Sequence, residues 1–547
     1  MGVLIVAAAD SPPEKKASAT YLCTGANDHF QIMGAIAMAH PTDVVLLLEG
    51  TYNVRYDIVT RYRVTLRGEG SDKTRIIFTN NAHLFIEGEH ATIEDFAVEG
   101  TGYSTSAHIW LGVINILASH ARIRGIYGTA DHTLNAVFHT LSCDATPSAP
   151  LRDIEFDTCI ANNTGTFGFL HNWWDGDLAK KTHTDIRYLN CVAARCGNAH
   201  GSSSKGHFND WVTGFDFAET NDIDHLYVNN CRAEDNLESG FHMEWDPRKT
   251  ACVFEDCVAT GNGAKPYPTG TVKPDPGATK EFFGSGWYLP NFQGYLYRCI
   301  SEGNARCGFW VTNGGVLVEC VDRDCGRGRT NFTYVKPTSF YGYPCRTPYE
   351  GKSLHLVRCK SIDSRGYGFW YDLAEAVVLE DCHLTNPAGI NGIGAMFGSP
   401  LSEHFRESAV GFTKITTAPD VTAIVAHDNR NTTYGPAVVV SDAAKPVIFS
   451  GAGTRGVVVT DWTTASTTLP PESDGIFLEA DAHPGNVIRT NVIVVPDDPI
   501  PEDDPDAPPI VTPTATGVVP ILALAAAGAG AYLLLRARGG TTKTSRR

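Results

Sequence analysis

Eight cysteines recur at one place in a repeating unit, and no other feature constrains the fold of this chain as tightly. Cys159, Cys191, Cys231, Cys257, Cys299, Cys320, Cys359 and Cys382 follow one another at intervals of 21 to 42 residues. Most close a short alternating strand, as in 154–159, 186–191, 226–231, 354–359 and 377–382. A polar turn and a Gly-aromatic step follow several of them. Asn236 precedes Gly240-Phe241, Asn304 precedes Gly308-Phe309, and Asp363 precedes Gly368-Phe369. A strand–turn–strand unit of this length cannot bury its apolar face alone and must stack on its neighbours. The pattern therefore predicts a solenoid.

The 547 residues and 43% hydrophobic content suit a large core, and a net charge of −17 argues against nucleic acid as a partner. Fifteen cysteines would suggest disulfides in an exported chain. A ladder of eight reads instead as small buried thiols stacked rung on rung. Stacked strands lie about 4.8 Å apart, so oxidation of some pairs stays open. No CxxC pair has a matching partner, which argues against a structural zinc site.

The C-terminus carries a separate signal. Residues 496–513 hold seven prolines and six acidic residues. Residues 518–535 are an uncharged run of 18, followed by Arg536, Arg538, Lys543, Arg546 and Arg547. Such a run spans a bilayer, and the basic tail places it in the cytoplasm with the large domain outside. The proline-rich segment would act as an extended stalk. Residues 3–9 are apolar but short, without a preceding basic residue, and read as a first strand rather than a signal peptide. Either a signal has been removed or the start is misplaced. Asn162, Asn331 and Asn431 begin N-x-Thr sequons, compatible with an exported glycoprotein.

Phe30, Ile32, Met33, Ile36 and Ala39 have helical spacing, and short strands then recur from Val44 onward. Asn27-Asp28, Ile32, Ala35-Ile36 and Ala39, then residues 44–48, Glu49-Gly50-Thr51-Tyr52 and Leu66-Arg67-Gly68, resemble the opening of pectate-lyase-like right-handed parallel β-helix proteins. Met33 and Leu48 depart from that pattern, where Gln and Pro are common. The resemblance implies an all-β, right-handed parallel β-helix (solenoid) with an N-terminal capping helix that protects the open end. A C-terminal transmembrane helix completes the expected fold class. The combination of coil, stalk and anchor is similar to surface proteins of archaea and some bacteria. The expected organisation is a cap and first rungs over 1–74 and β-helix repeats over 75–400. Next come further rungs or a small β-domain over 401–495, the stalk over 496–517, the membrane span over 518–535 and the basic tail over 536–547.

Aligning the rungs on the Gly-aromatic step sends each aromatic inward and the next residue outward. The outward column is then Asp216, His242, Tyr288, Trp310 and Trp370. Two residues further on, the same side carries Glu244 and Asp372. Nearby segments add Trp173, Trp174, Trp211, Glu219, Asp246 and Lys249. Rings that face solvent pack on pyranose faces and carboxylates bond hydroxyls, so this face suits a polysaccharide or cell-envelope glycan. Hydrolysis needs two carboxylates about 5 to 9.5 Å apart, which Asp216 and Glu244 on neighbouring rungs would meet, with Glu219 and Asp246 in reserve. Elimination from a uronate would use Asp216, Glu219, Glu244 and Asp246 to hold Ca²⁺, with Lys249 or Arg248 as base; His242 is a further catalytic candidate on this face. Neither signature is complete. Glycan binding without catalysis, cleavage, and a structural envelope role all remain open, each at the cell surface with the membrane as a second partner through the anchor.

Overall fold

A computed structural model describes residues 2–102, 111–130, 136–140, 150–171, 182–197, 212–217, 222–243, 249–264, 284–290, 292–311, 314–327, 337–342, 354–371, 376–398, 405, 407–452, 454–470, 473–479, 481–482, 485 and 487–495. The stalk, the apolar run 518–535 and the basic tail lie outside the described residues. Among those that are described, no helix is long and apolar enough to cross a membrane.

Every pairing between named strands is parallel, which makes the chain a β-helix. One coil shows the plan. Asp222–Asn229 lies in a first ladder, Arg232–Glu234 in a second and Ser239–His242 in a third. The chain then returns to the first ladder at Lys249–Glu255. Among the described residues the third ladder is a sheet of 15 strands in sequence order. The first two join in one 29-stranded sheet because later strands, such as Val377–Thr385, run through the corner unbroken. The pairing continues without a break through Ala409–Thr416, Thr433–Val440, Val457–Ala465 and Val487–Val495.

The eight cysteines occupy the corner between the first and second ladders on eight successive rungs, all buried with free thiols. Each thiol lies within donating distance of the carbonyl two residues back, and all but Cys191 also of a carbonyl of the preceding rung. Cys231 Sγ, for example, lies 3.4 Å from both Asn229 O and Tyr188 O. Later rungs fill the same column with Phe412, Ala437, Trp462 and Val492. The position therefore demands an apolar side chain, and cysteine is a small one that can also satisfy a carbonyl.

The residue before each ladder cysteine is left-handed: Thr158, Asn190, Asn230, Asp256, Arg298, Glu319, Arg358 and Asp381 have φ of 51 to 56°. A single residue in that region turns the chain from one ladder to the next, a conformation L side chains tolerate at some cost. At the next corner a second ladder forms from amides. Asn236 Nδ2 donates to Asn262 Oδ1 at 2.8 Å, and Asn262 Nδ2 to Asn304 Oδ1 at 2.9 Å. Ser364, not Asp363, holds this position on its rung. Asp363 is the left-handed residue before it, with φ of 52°.

Inside the coil a ring stack runs along the third sheet: Phe138, Phe169, Phe215, Phe241, Trp287, Phe309, Phe340 and Phe369, with centroids 4.6 to 5.1 Å apart. The spacing follows the strand separation, so parallel register fixes the stacking and each pair adds about 0.5–1.5 kcal/mol beyond burial. The helix His29–Met38 packs on the first strands and places Ile32, Ala35 and Ile36 in this same core.

Candidate functional site

Alternation along the third sheet puts the residue after each stacked ring on the outer face. The register confirms the column position by position: Asp216 pairs with His242, His242 with Tyr288 and Tyr288 with Trp310. Trp310 pairs with Tyr341, and Tyr341 with Trp370. Upstream the same column holds Asn115, His139 and Leu170, and downstream Met396, Val425 and Ile448. Phe217, Met243, Leu289, Val311 and Tyr371, one position further, point back into the main core.

The rings of this face were expected to meet solvent, and the structure corrects that. Asp216 is 3% exposed, Trp310 2%, and His242 and Tyr288 are fully buried. Tyr288, Trp310 and Tyr341 form an apolar cluster separate from the main core, with half-buried Trp370 packed against it. Edge-on contacts link them, at 5.1 Å for Tyr288–Trp310 and 4.7 Å for Trp310–Tyr341. Trp370 lies 5.1 Å from Tyr341 and 5.2 Å from Tyr367, whose phenol burial pushes upward in pKa. At the other end the His242 and Tyr288 rings are 4.8 Å apart. The buried Arg306 guanidinium stands 5.2 Å over the Trp310 ring.

This face therefore has a polar end and an aromatic end. Asp216 and His242 sit on adjacent rungs, a separation of about 4.8 Å between strands, where a carboxylate and an imidazole suit proton transfer. Further buried polar groups that the Gly-aromatic alignment missed lie along the third sheet, His171 beside the Asp216 rung and His83 four rungs earlier. His83 Nδ1 is 2.9 Å from Gly112 O, and His171 Nε2 is 2.8 Å from His183 Nδ1, one ring donating and the other accepting. His171 directly follows the third-sheet strand Phe167–Leu170, and His183 lies in the first-sheet strand Thr182–Leu189. Tyr341 was missed because its glycine follows the aromatic pair rather than preceding it. His139 and Asn115 were missed because no Gly-aromatic step precedes them on their rungs, Val137-Phe138 and Val113-Ile114 standing there instead.

Trp173, Trp174, Trp211, Glu219, Glu244, Asp246 and Asp372 lie outside the described residues, and of Lys249 only the backbone position, opening a first-sheet strand, is described. Among the described residues, no group of three or more His, Cys, Asp or Glu side chains is arranged to hold a metal ion.

No family model matches the chain, and no curated protein matches its sequence. Solved structures do resemble it. The pectate lyase Pel9A aligns with 70% of this chain and 78% of its own, at 14% identity and a TM-score of 0.36. The catalytic domain of a GH87 alpha-1,3-glucanase in complex with nigerose aligns at 11% identity and a TM-score of 0.37. That alignment covers 63% of this chain and 60% of the glucanase domain. Gene product 12 of bacteriophage phi29 aligns with 81% of this chain and 64% of its own, at 13% identity and a TM-score of 0.46. The likeness is one of fold. This chain is a parallel β-helix, as the pectate-lyase-like opening implies.

Proposed function

We propose that this protein binds a polysaccharide or cell-envelope glycan along the outer face of its third sheet. One observation carries the reading. The column from Asp216 to Trp370 is polar and aromatic on the side away from the core, while the same column is aliphatic at Met396, Val425 and Ile448. A coil can stack without acids and imidazoles on its outer face, and buried titratable groups gather at functional sites more often than elsewhere. Half-buried Trp370 is where a sugar meets the aromatic run, since Asp216, His242, Tyr288, Trp310 and Tyr341 further along the column are buried. Display at the cell surface on a stalk and membrane span at residues 496–535 belongs to the same proposal, and rests on the sequence pattern.

A second reading, cleavage of that glycan, is favoured by Asp216 and His242 standing one rung apart as an acid–base pair. Glu244 as second carboxylate, Lys249 as base and Ca²⁺ held by Asp216, Glu219, Glu244 and Asp246 are its further elements.

Affinity electrophoresis of the full-length protein against a panel of neutral and acidic polysaccharides tests the first reading, and release of reducing ends or unsaturated uronates tests the second. Binding of at least one polymer is expected, weakened roughly tenfold by Trp370→Ala with an unchanged melt, as loss of one ring platform implies. Products that disappear in Asp216→Asn and His242→Gln establish cleavage. A protein that binds nothing, or binds equally well after Trp370→Ala and Asp216→Asn, overturns the proposal.

A further inference from the structure

The proposed glycan face makes no use of the Asn-x-Thr sequons at Asn162, Asn331 and Asn431. Asn331 lies outside the described residues, and the fold treats the other two differently. Asn162 ends the strand Ile160–Asn162 in the second ladder, in register with Ala194 of the next rung. Its Nδ2 donates to Tyr127 Oη at 2.7 Å, and its Oδ1 is shut off from solvent. Thr164 completes this sequon. It is fully buried, and its hydroxyl donates to Thr166 O at 3.0 Å. N-linked transfer must reach the asparagine nitrogen and read the hydroxyl two residues on, which is why acceptor sites belong to surface loops. At Asn162 the nitrogen is engaged and the hydroxyl lies inside the coil.

Asn431 stands at a turn. It follows the third-ladder strand Thr422–His427 and precedes the first-ladder strand Thr433–Val440. Its backbone N–H donates to Arg455 O at 2.9 Å and its φ is 48°, so the main chain is held while the side chain is exposed. Thr432 turns inward and is buried, its hydroxyl donating to Arg430 O at 3.1 Å. Tyr434 fills the core, so alternation turns Thr433 outward, half-buried in register with Ala409 and Val458. The acceptor amide and the sequon hydroxyl therefore both reach solvent from a fixed backbone.

We propose that Asn431 carries an N-linked glycan and that Asn162 does not. The donor is a lipid-linked oligosaccharide of the exporting membrane. Its anomeric carbon bonds to Asn431 Nδ2, which gives up one proton, and the lipid-linked phosphate leaves with the electron pair of the broken C–O bond. The proposal rests on display of the coil outside the cell and adds to it the residue that takes the modification.

The full-length chain, sent through a eukaryotic secretory pathway by an added cleavable signal, tests the site. Peptide mapping after amidase release of the sugars reads each asparagine separately. Asn431 should be modified in most secreted chains and Asn162 in none, and Asn431→Gln should lower the mass of the parent by one glycan. The map of the parent decides alone if the variant is not secreted. Because the added signal supplies export, an unmodified Asn431 overturns the site and leaves display in the native cell untouched. Modification of Asn162 in as many chains as Asn431 would overturn it too, because both sequons would then be read regardless of the fold.

Discussion

Asn262 is the middle rung of the amide ladder, and replacing it gives the sharpest test of what holds the coils in register. Its Oδ1 accepts from Asn236 Nδ2 at 2.8 Å and from Asn236 N at 3.2 Å. Its Nδ2 donates to Ala233 O at 3.0 Å and to Asn304 Oδ1 at 2.9 Å. The side chain is fully buried, so no water replaces these partners. Four bonds at about 1 kcal/mol net each, with buried groups left orphaned, put Asn262→Ala at about 3–5 kcal/mol. Asn262→Asp keeps the shape and both acceptor positions but loses both donors, and turns a buried carboxylate toward Asn304 Oδ1 and Ala233 O. It should cost at least as much, and less at low pH, where protonation restores one donor. Because a solenoid can open rung by rung, the loss should be local. Hydrogen exchange of peptides covering residues 232–262, alongside urea melts, measures it. If Asn262→Asp lies within about 0.5 kcal/mol of the parent at pH 8, packing rather than hydrogen bonding holds this corner and the reasoning fails.

Phe309→Ala should cost about 3–5 kcal/mol by urea denaturation, because it removes one ring from the middle of a continuous stack. Cys257→Leu should cost about 1–3 kcal/mol by overfilling its corner, whereas Cys257→Ala should cost less. None of the eight ladder thiols should react with a thiol reagent in the native protein, and all eight should react after denaturation, since each is buried and unpaired. The Asp322 carboxyl, normally near 3.8, is raised to about 6 in the folded chain. A raised carboxyl costs stability once ionised. The cost should be absent below about pH 4 and grow to about 3 kcal/mol above pH 6. Asp322→Asn should therefore match the parent in acid and exceed it in stability at pH 8, by urea denaturation.

The stacking was legible in the sequence because cysteine and the Gly-aromatic step mark fixed points on each rung. Strand parity then carried Asp216, His242, Tyr288, Trp310 and Trp370 into one column. The rung of Tyr341 escaped because it lacks the glycine before its rings. The left-handed corner was not read from the sequence, although Asn190, Asn230, Asp256 and Asp381 carry side chains that favour that conformation. It was hidden at Thr158, Arg298, Glu319 and Arg358, where the fold imposes it on residues that do not prefer it. The burial of Tyr288 and Trp310 was not legible. Parity says which side of a sheet a ring faces, not whether remote parts of the chain shield it. Asp322 was invisible for a related reason, since a lone acid in an alternating strand reads as solvent-facing until the register places it between Ser301 and Ser361.

The whole arrangement rests on residues tens of positions apart becoming vertical neighbours, and an engineered cross-link measures that directly. Asn190 and Asn230 occupy the same exposed corner on successive rungs, with Asn230 Nδ2 2.8 Å from Asn190 Oδ1. Cysteines placed at both positions fall within the Cα separation a disulfide accepts. Stacked coils predict rapid intramolecular oxidation of the Asn190→Cys, Asn230→Cys double variant, and none when Asn230→Cys is paired with Asn163→Cys at a different corner. Equal cross-linking of both pairs, or of neither, would contradict the register on which the proposed glycan face depends.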